Sequence, residues 1–340
     1  MESKKKSGLG KILEVKGMSS SLTAFVGLIV IYIVFGLIDH KVFSAQNNLN
    51  LLRSMSKYLL IGIGQSYVMI TGNIDLSIGA VVAMATMMAC TLMTHGMAPI
   101  LAIVITLAAA VVVGIINGIL VGKFKLPPFI ATLGTMFVTR GIAFMVNGNR
   151  NTDNIASGIG KESADRFQGF FYYGKTFGVY NTFWIAFILF LVFFFYLSRT
   201  RSGRHIYAIG SNVDAARLSG VDVVKTTMKA YVVSAICSAV VGLILGAQAG
   251  MGNMDAGNTY EMYGVAAGVI GGISPLGGAG LLLGTFAGAG VWQVLENGLN
   301  MVGAQIGLQR IVIGVIVVMA VLLDVVLRNG NRPKSSKKAA

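Results

Sequence analysis

Long apolar runs free of charge dominate this chain. No Asp, Glu, Lys or Arg occurs between Asp75 and Lys123, between Lys229 and Asp255, or between Glu261 and Glu296. Each stretch exceeds the roughly 20 residues needed to cross a bilayer once. Flanking charges and Gly/Pro punctuation divide the apolar sequence into about ten helical segments, some short or broken. The first spans 22–38 and a short second one 58–71. The tract 76–122 is split into two helices by His95-Gly96-Met97-Ala98-Pro99. A fifth helix follows Pro127-Pro128 and reaches 146, with Arg140 inside it. The polar, Gly-rich stretch 147–181 reads as an external loop or small lid, and 182–198 as a Phe-rich sixth helix. A seventh helix covers 228–250. The run 263–295 breaks at Gly271-Gly272-Ile273-Ser274-Pro275-Leu276-Gly277-Gly278 into an eighth and a ninth, and 307–327 is the tenth. The pattern predicts an all-α, polytopic transmembrane bundle over 21–328, between a basic head (1–20) and a basic tail (329–340).

Composition agrees. Only 12% of residues are charged, half the share of a soluble domain. The net charge of +14 is compatible with nucleic-acid binding in a soluble protein, but the basic residues here sit at the termini and in short loops rather than on one face. That distribution sets topology instead. With both termini in the cytoplasm, eighteen of the 27 Lys and Arg residues fall inside, which fixes the expected orientation in the plasma membrane of a prokaryote. Lys4, Lys5 and Lys6 before the first apolar run resemble a secretory signal, but the run is long and no small-x-small site precedes Asp39, so an uncleaved anchor helix fits better. Cys90 and Cys237 lie inside apolar runs and are expected to act as small hydrophobes. His40, His95 and His205 share no ligand-like spacing.

Glycines recur every fourth residue at 242, 246 and 250, at 264, 268 and 272, and at 280, 284 and 288. Residues at i and i+4 share a helix face, so each set predicts a flat stripe for close helix packing. Such smooth faces also let helices slide during gating. Gly169, Gly174, Lys175 and Thr176 satisfy the phosphate-loop pattern, but Phe-Phe-Tyr-Tyr fills the intervening positions and would crowd a backbone that must wrap a phosphate. ATP hydrolysis in this chain is therefore not expected, and no cofactor is assigned to it.

Thr71-Gly72-Asn73-Ile74-Asp75-Leu76-Ser77-Ile78-Gly79 sets a carboxylate and an amide between two apolar segments. Ionisable groups at membrane depth are costly and usually face protein or water. Asn73, Asp75 and Ser77 either line a path or, in the case of Asp75, cap the following helix. Arg140 and Glu261 also fall at membrane depth. They pair across the bundle, or Arg140 snorkels to the interface. In the basic loop 199–227, Asn212 suits an N-cap, Asp214 a first turn and Gly220 a C′ position, which predicts a short self-terminated helix projecting from the membrane.

The 71–79 element, Pro128-Phe129-Ile130-Ala131-Thr132-Leu133-Gly134-Thr135-Met136, the basic loop, and Tyr260-Glu261 with Ala266-Ala267 and Ile270-Gly271-Gly272 occur in this order. Gly277-Gly278, Gly280 and Gly284-Thr285 follow. Together they resemble the ribose/xylose/galactoside-type permeases of ATP-binding-cassette sugar importers, over about residues 20–328. The resemblance implies a ten-helix subunit that pairs with a second permease copy or a paralogue around a central path. A sugar-binding protein docks outside, two ATPase domains bind inside, and ATP is used by those partners. It also implies that Gly210, Asn212, Asp214, Ala215, Ala216, Arg217 and Gly220 form the coupling helix that engages the ATPase. Members usually carry Glu-Leu-Asp-Ala-Ile-Ala-Ala after the Tyr; here Glu261 is followed by Met262-Tyr263-Gly264-Val265-Ala266-Ala267, without the second acid. Asn73, Asp75, Ser77, Thr132, Tyr260 and Glu261 are the candidate path residues. An ion-coupled secondary transporter would use Asp75 and Glu261 as ion sites but leaves the projecting helix unexplained. A membrane enzyme would need clustered His, Asp and Glu, which the sequence lacks.

Overall fold

A computed structural model describes residues 18–330. The basic head up to residue 17 and the tail from 331 lie outside the described residues. Ten helices correspond to the ten expected segments: α1 (Met18–Ile38), α2 (Ala45–Ile70), α3 (Ile78–Thr94), α4 (Pro99–Gly122), α5 (Pro128–Met145), α8 (Asn181–Arg199), α11 (Val223–Ala249), α12 (Tyr260–Ile270), α13 (Leu282–Met301) and α14 (Ile306–Gly330). Between them lie the short helices α6 (Ala156–Ile159) and α7 (Lys161–Gln168), α9 (Arg201–Ser211) and α10 (Val213–Leu218). A two-stranded hairpin, β1 (Lys175–Thr176) and β2 (Val179–Tyr180), precedes α8. Among the described residues, five helices (α1, α4, α5, α8, α11) are long and apolar enough to cross a membrane by length and composition.

Burial sorts the helices into an inner and an outer set. α11 is buried along most of its length and packs against α2, α3 and α4. α2, α3, α12 and α13 complete the inner set, while α1, α4, α5, α8 and α14 expose large apolar side chains such as Val30, Val104, Phe137, Phe195 and Val315. In water that arrangement would be unstable; in lipid the exposed apolar faces meet hydrocarbon, and close packing rather than water exclusion holds the helices together. Two members of each glycine set do this packing, whereas Gly250, Gly272 and Gly280, expected on the same faces, lie outside the helices in turns of positive φ. Gly242 and Gly246 of α11 lie on α3, Gly264 and Gly268 of α12 on α2, and Gly284 and Gly288 of α13 on α12.

Several boundaries differ from those expected. α2 begins thirteen residues earlier, because Ser44 caps it by accepting from the Asn47 N–H (3.3 Å) and Asn47 pairs with Asn297 of α13 at 3.0 and 3.1 Å. α11 starts at Val223 rather than 228, with Asp222 as its cap. The stretch 201–211, expected as part of the basic loop, is an amphipathic helix burying Gly203, Ile206 and Ile209.

Two ends of the bundle follow from the contacts. One end gathers the turns at 71–77 and 271–281 with α9 and α10: Gly278 N–H donates to Ile70 O (2.9 Å) and Tyr207 OH to Gly280 O (2.7 Å). The distal end carries the 147–181 segment, tied to the close of α11 by Ile155 N–H to Gly250 O (2.9 Å) and Thr152 N–H to Gly252 O (3.1 Å).

Candidate functional site

The projecting helix forms as its caps dictate. Asn212 accepts from the Ala215 N–H (2.9 Å), and Gly220 takes a positive φ of 81° just beyond the last turn. Asp214 and Arg217 pair at 3.4 Å on the exposed side, and Ala216 is buried. Leu218 is 90% exposed. A leucine exposed at the tip of a charged helix was not singled out by the sequence pattern.

Behind α10 the chain meets the membrane helices through close backbone contact, beside the Tyr207 hydroxyl bond to Gly280 O. A methyl placed on Gly210 would stand 1.8 Å from Ile70 O and 2.5 Å from Gly278 N, and one on Gly277 2.8 Å from Gly210 O. Here the end of α9, the end of α2 and the turn between α12 and α13 touch with no side chain between them. Through α9, α10 thus adjoins both the 71–77 turn and the 271–281 turn. Beside this junction, a cleft of about 320 Å³ is lined by Thr71 and Asn73, Lys125, and Asp214 and Arg217 of α10. Asn73 donates to Thr71 Oγ1 (2.8 Å) and so braces the turn.

From that turn the chain climbs non-helically to α3 at 78. Asp75 is 2% exposed. Its Oδ1 accepts from Ser77 N–H (2.8 Å) and Ser77 Oγ (2.6 Å), and its Oδ2 from Ser234 Oγ of α11 (2.7 Å). The network continues: Asn117 of α4 donates to Ser77 Oγ (2.9 Å), and Thr135 of α5 to Asn117 Oδ1 (2.6 Å). Within the described residues Asp75 therefore accepts from no N–H of α3, contrary to the capping alternative; it satisfies donors that join the 71–77 turn to α11 and, through Ser77, to α4 and α5. Thr132 is fully buried and donates to Pro128 O (2.7 Å) in its own helix.

The other break, between α11 and α12, descends into the bundle. Gly252 lies on Met87, while Gly257 meets Gly79 and Val82 near the start of α3. Gly79 precedes the distal end of α3 by fifteen residues, so at a rise of 1.5 Å per residue Gly257 sits about 20 Å deep. α12 starts only there, which accounts for its eleven residues. Along the descent Asn253, Asp255, Asn258 and Thr259 are exposed, and Tyr260 and Glu261 are half-buried. Arg140 holds the segment, with Nη1 donating to Met254 O (3.1 Å) and Ala256 O (2.8 Å). The guanidinium neither forms an ion pair with Glu261 nor snorkels away. Its partners are carbonyl groups of non-helical backbone, which side-chain composition cannot reveal.

Irregular backbone and exposed polar side chains at this depth cannot face lipid. They occur only where they are covered by protein or line water. Glu261 Oε2 lies at Gly79, so the two broken segments converge on the same point. Around it, Tyr58, Tyr260, Tyr263 and Trp292 cluster with ring centroids 4.9–6.5 Å apart, and Tyr58 donates to Glu296 (2.7 Å). Gln65 of α2, fully buried, has neither amide atom hydrogen-bonded within the described residues. Aromatic faces and carboxylates are groups that suit a polyhydroxylated solute, and of these Tyr260, Tyr263 and Glu261 are half-buried. Cys90 and Cys237 are buried free thiols.

Comparison with known proteins agrees with this geometry. Residues 47–321 match the family described as branched-chain amino acid transport system / permease component. The ribose import permease protein RbsC of Bacillus subtilis (strain 168) is 34% identical over 314 residues, 92% of this chain and 95% of that protein. The D-allose transport system permease protein AlsC of Escherichia coli (strain K12) is 33% identical over 299 residues, 87% and 89% of the two chains. The autoinducer 2 import system permease protein LsrC of Salmonella typhi is 31% identical over 267 residues, 78% and 74%. No solved structure matches. A polytopic helical bundle with a backbone-linked projecting helix, matched over most of its length, leaves one assignment: the chain belongs to the branched-chain amino acid transport system / permease component family, as a membrane-spanning permease of the ATP-binding-cassette importer type.

Proposed function

We propose that this chain carries a monosaccharide, a pentose or hexose, inward across the plasma membrane, with both termini in the cytoplasm. Two copies, or this chain and a paralogue, enclose the path. Separate ATPase subunits supply the energy, and an extracytoplasmic binding protein delivers the sugar. The chain contributes no catalytic group and holds no cofactor. One observation carries the reading: the 251–259 segment sets exposed polar groups about 20 Å into the bundle, where lipid cannot receive them and a path enclosed with a second copy can. The similarity to ribose and allose permeases supports a sugar as the solute.

In this mechanism ATP closes the partner ATPases and moves α10, including Asn212, Asp214, Ala215, Ala216 and Arg217. The Gly210 junction passes that movement to the breaks at 71–77 and 271–281. Asn73, Asp75 and Ser77 shift with the first break, and Tyr260 and Glu261 line the path that changes side. The path binds weakly, so that a sugar passes without being trapped.

The test is binding-protein-stimulated ATPase activity and sugar uptake in the full complex, wild type against Ala216→Arg. Ala216 is buried behind α10, so the variant is expected to lose stimulation and uptake while the chain still inserts. Uptake by this chain alone, driven by an ion gradient and indifferent to the substitution, would overturn the reading.

A further inference from the structure

The small hairpin at the distal end carries an aromatic side chain where chain chemistry disfavours one. Its two central residues, Phe177 and Gly178, both take positive φ, 53° and 79°, as in a type I′ turn. That turn favours Asn-Gly, because an L residue with a bulky side chain is strained there. Phe177 is nevertheless 92% exposed and covers nothing of the protein's core. The hairpin is held in place: Trp184 Nε1 donates to Thr176 O (3.0 Å), and the Phe177 ring stands edge-on to the Trp184 indole at 6.4 Å.

Trp184 locates that ring relative to the bilayer. It lies one turn from the distal end of α8, whose nineteen residues span about 28 Å, close to the hydrocarbon thickness. Trp184 heads a helix face continued by Ile188, Leu191 and Phe195, all apolar and, beyond Trp184, exposed by 47–63%. The face has none of the small residues that bring membrane helices together, so it meets lipid tails. The hairpin tip continues this face past the end of the helix, to the level where Trp and Tyr side chains partition into headgroups.

We infer that the hairpin is a membrane anchor: the Phe177 ring inserts into the headgroup layer of the leaflet away from α10 and, with Trp184, fixes the height and tilt of α8 in the bilayer. Its ligand is the lipid surface. This rests on the membrane-spanning fold and does not depend on the transported solute. Lys175, whose Nζ lies 4.7 Å from the Tyr180 ring, supplies a cation at the level of the lipid phosphates.

The native cysteines are buried, so a spin label can be placed on Phe177→Cys in the full chain reconstituted into phosphatidylcholine liposomes. A second label on exposed Thr176→Cys guards against a local effect of the first, and Lys161→Cys on α7 is the aqueous reference. Collision with a water-soluble nickel chelate is expected to be about tenfold lower at 177 than at 161, because a polar chelate partitions poorly out of water. Collision with dissolved oxygen is expected to rise. Equal chelate collision at 177 and 161 would overturn the anchor. Chelate collision that falls only when the binding protein is added would also overturn it and make the tip a protein-docking point instead.

Discussion

Gly79 and Gly257 meet backbone to backbone: a methyl on Gly79 would stand 2.2 Å from Gly257 O, and one on Gly257 2.5 Å from Gly79 O. The two broken helices of the inner set are therefore in direct contact at membrane depth, and no side chain separates them.

Gly79→Ala is expected to abolish uptake while leaving α10 able to bind the ATPase. Overpacking of this kind costs about 1–3 kcal/mol, and here the only relief is withdrawal of the 251–259 segment from α3. Gly257→Ala adds the strain of a positive φ (72°). Uptake assays with purified complexes check this; normal uptake in Gly79→Ala would mean that the two breaks move apart freely.

Arg140→Ala should release the same segment. Two charge-assisted hydrogen bonds to Met254 O and Ala256 O disappear, each contributing about 1.5–3 kcal/mol. The expected result is loss of uptake with faster cysteine labelling at the half-buried Met254→Cys than when Arg140 is present. Arg140→Lys, with a compact ammonium in place of the fork, is expected to restore part of each.

Ser234→Ala removes one donor to Asp75 and should lower stability by about 1–2 kcal/mol. Combined with Asp75→Asn the losses should not add, because both residues belong to one network. Thermal unfolding in detergent of the two single variants and the double variant gives the cycle; strict additivity would separate Asp75 from Ser234.

Leu218→Ala is expected to weaken binding of the ATPase by about tenfold, since burying a leucine contributes about 1.5–3 kcal/mol. The folded chain itself should melt unchanged, because Leu218 is 90% exposed in it. An affinity equal to wild type would place the docking contact elsewhere on α10.

Asp222 at the start of α11 sets an acid limit. The Lys225 backbone N–H (2.9 Å), joined by the Lys225 ammonium, holds its carboxyl below the ordinary value of 3.8. A depressed pKa means that its stabilisation is complete above 3.8 and is lost as pH falls through the lower folded value. The melting difference between wild type and Asp222→Ala should shrink in that window and stay constant above it.

The ten segments were legible because apolar length and charge-free spacing are local properties, and a bilayer leaves few other solutions. The caps of α10 were legible for the same reason: Asn212 and Gly220 act on their own turn. The start of α2 was hidden because Gln46, Asn47, Asn48 and Asn50 read as a loop, while their helix is held by a partner 250 residues away. Asp75 could be placed in a break, but its tie to Ser234 crosses 159 residues. The descent at 251–259 was not legible, since nothing in Gly250 or Gly252 indicates which neighbour the chain will follow.

At Gly210 the approach to Ile70 and Gly278 is made by main chain, which no solute touches and which leaves no room for a larger residue. On the proposed function, a substitution at the half-buried Glu261 alters the path and leaves this linkage untouched, while a methyl at Gly210 disturbs the linkage and leaves the path residues in place.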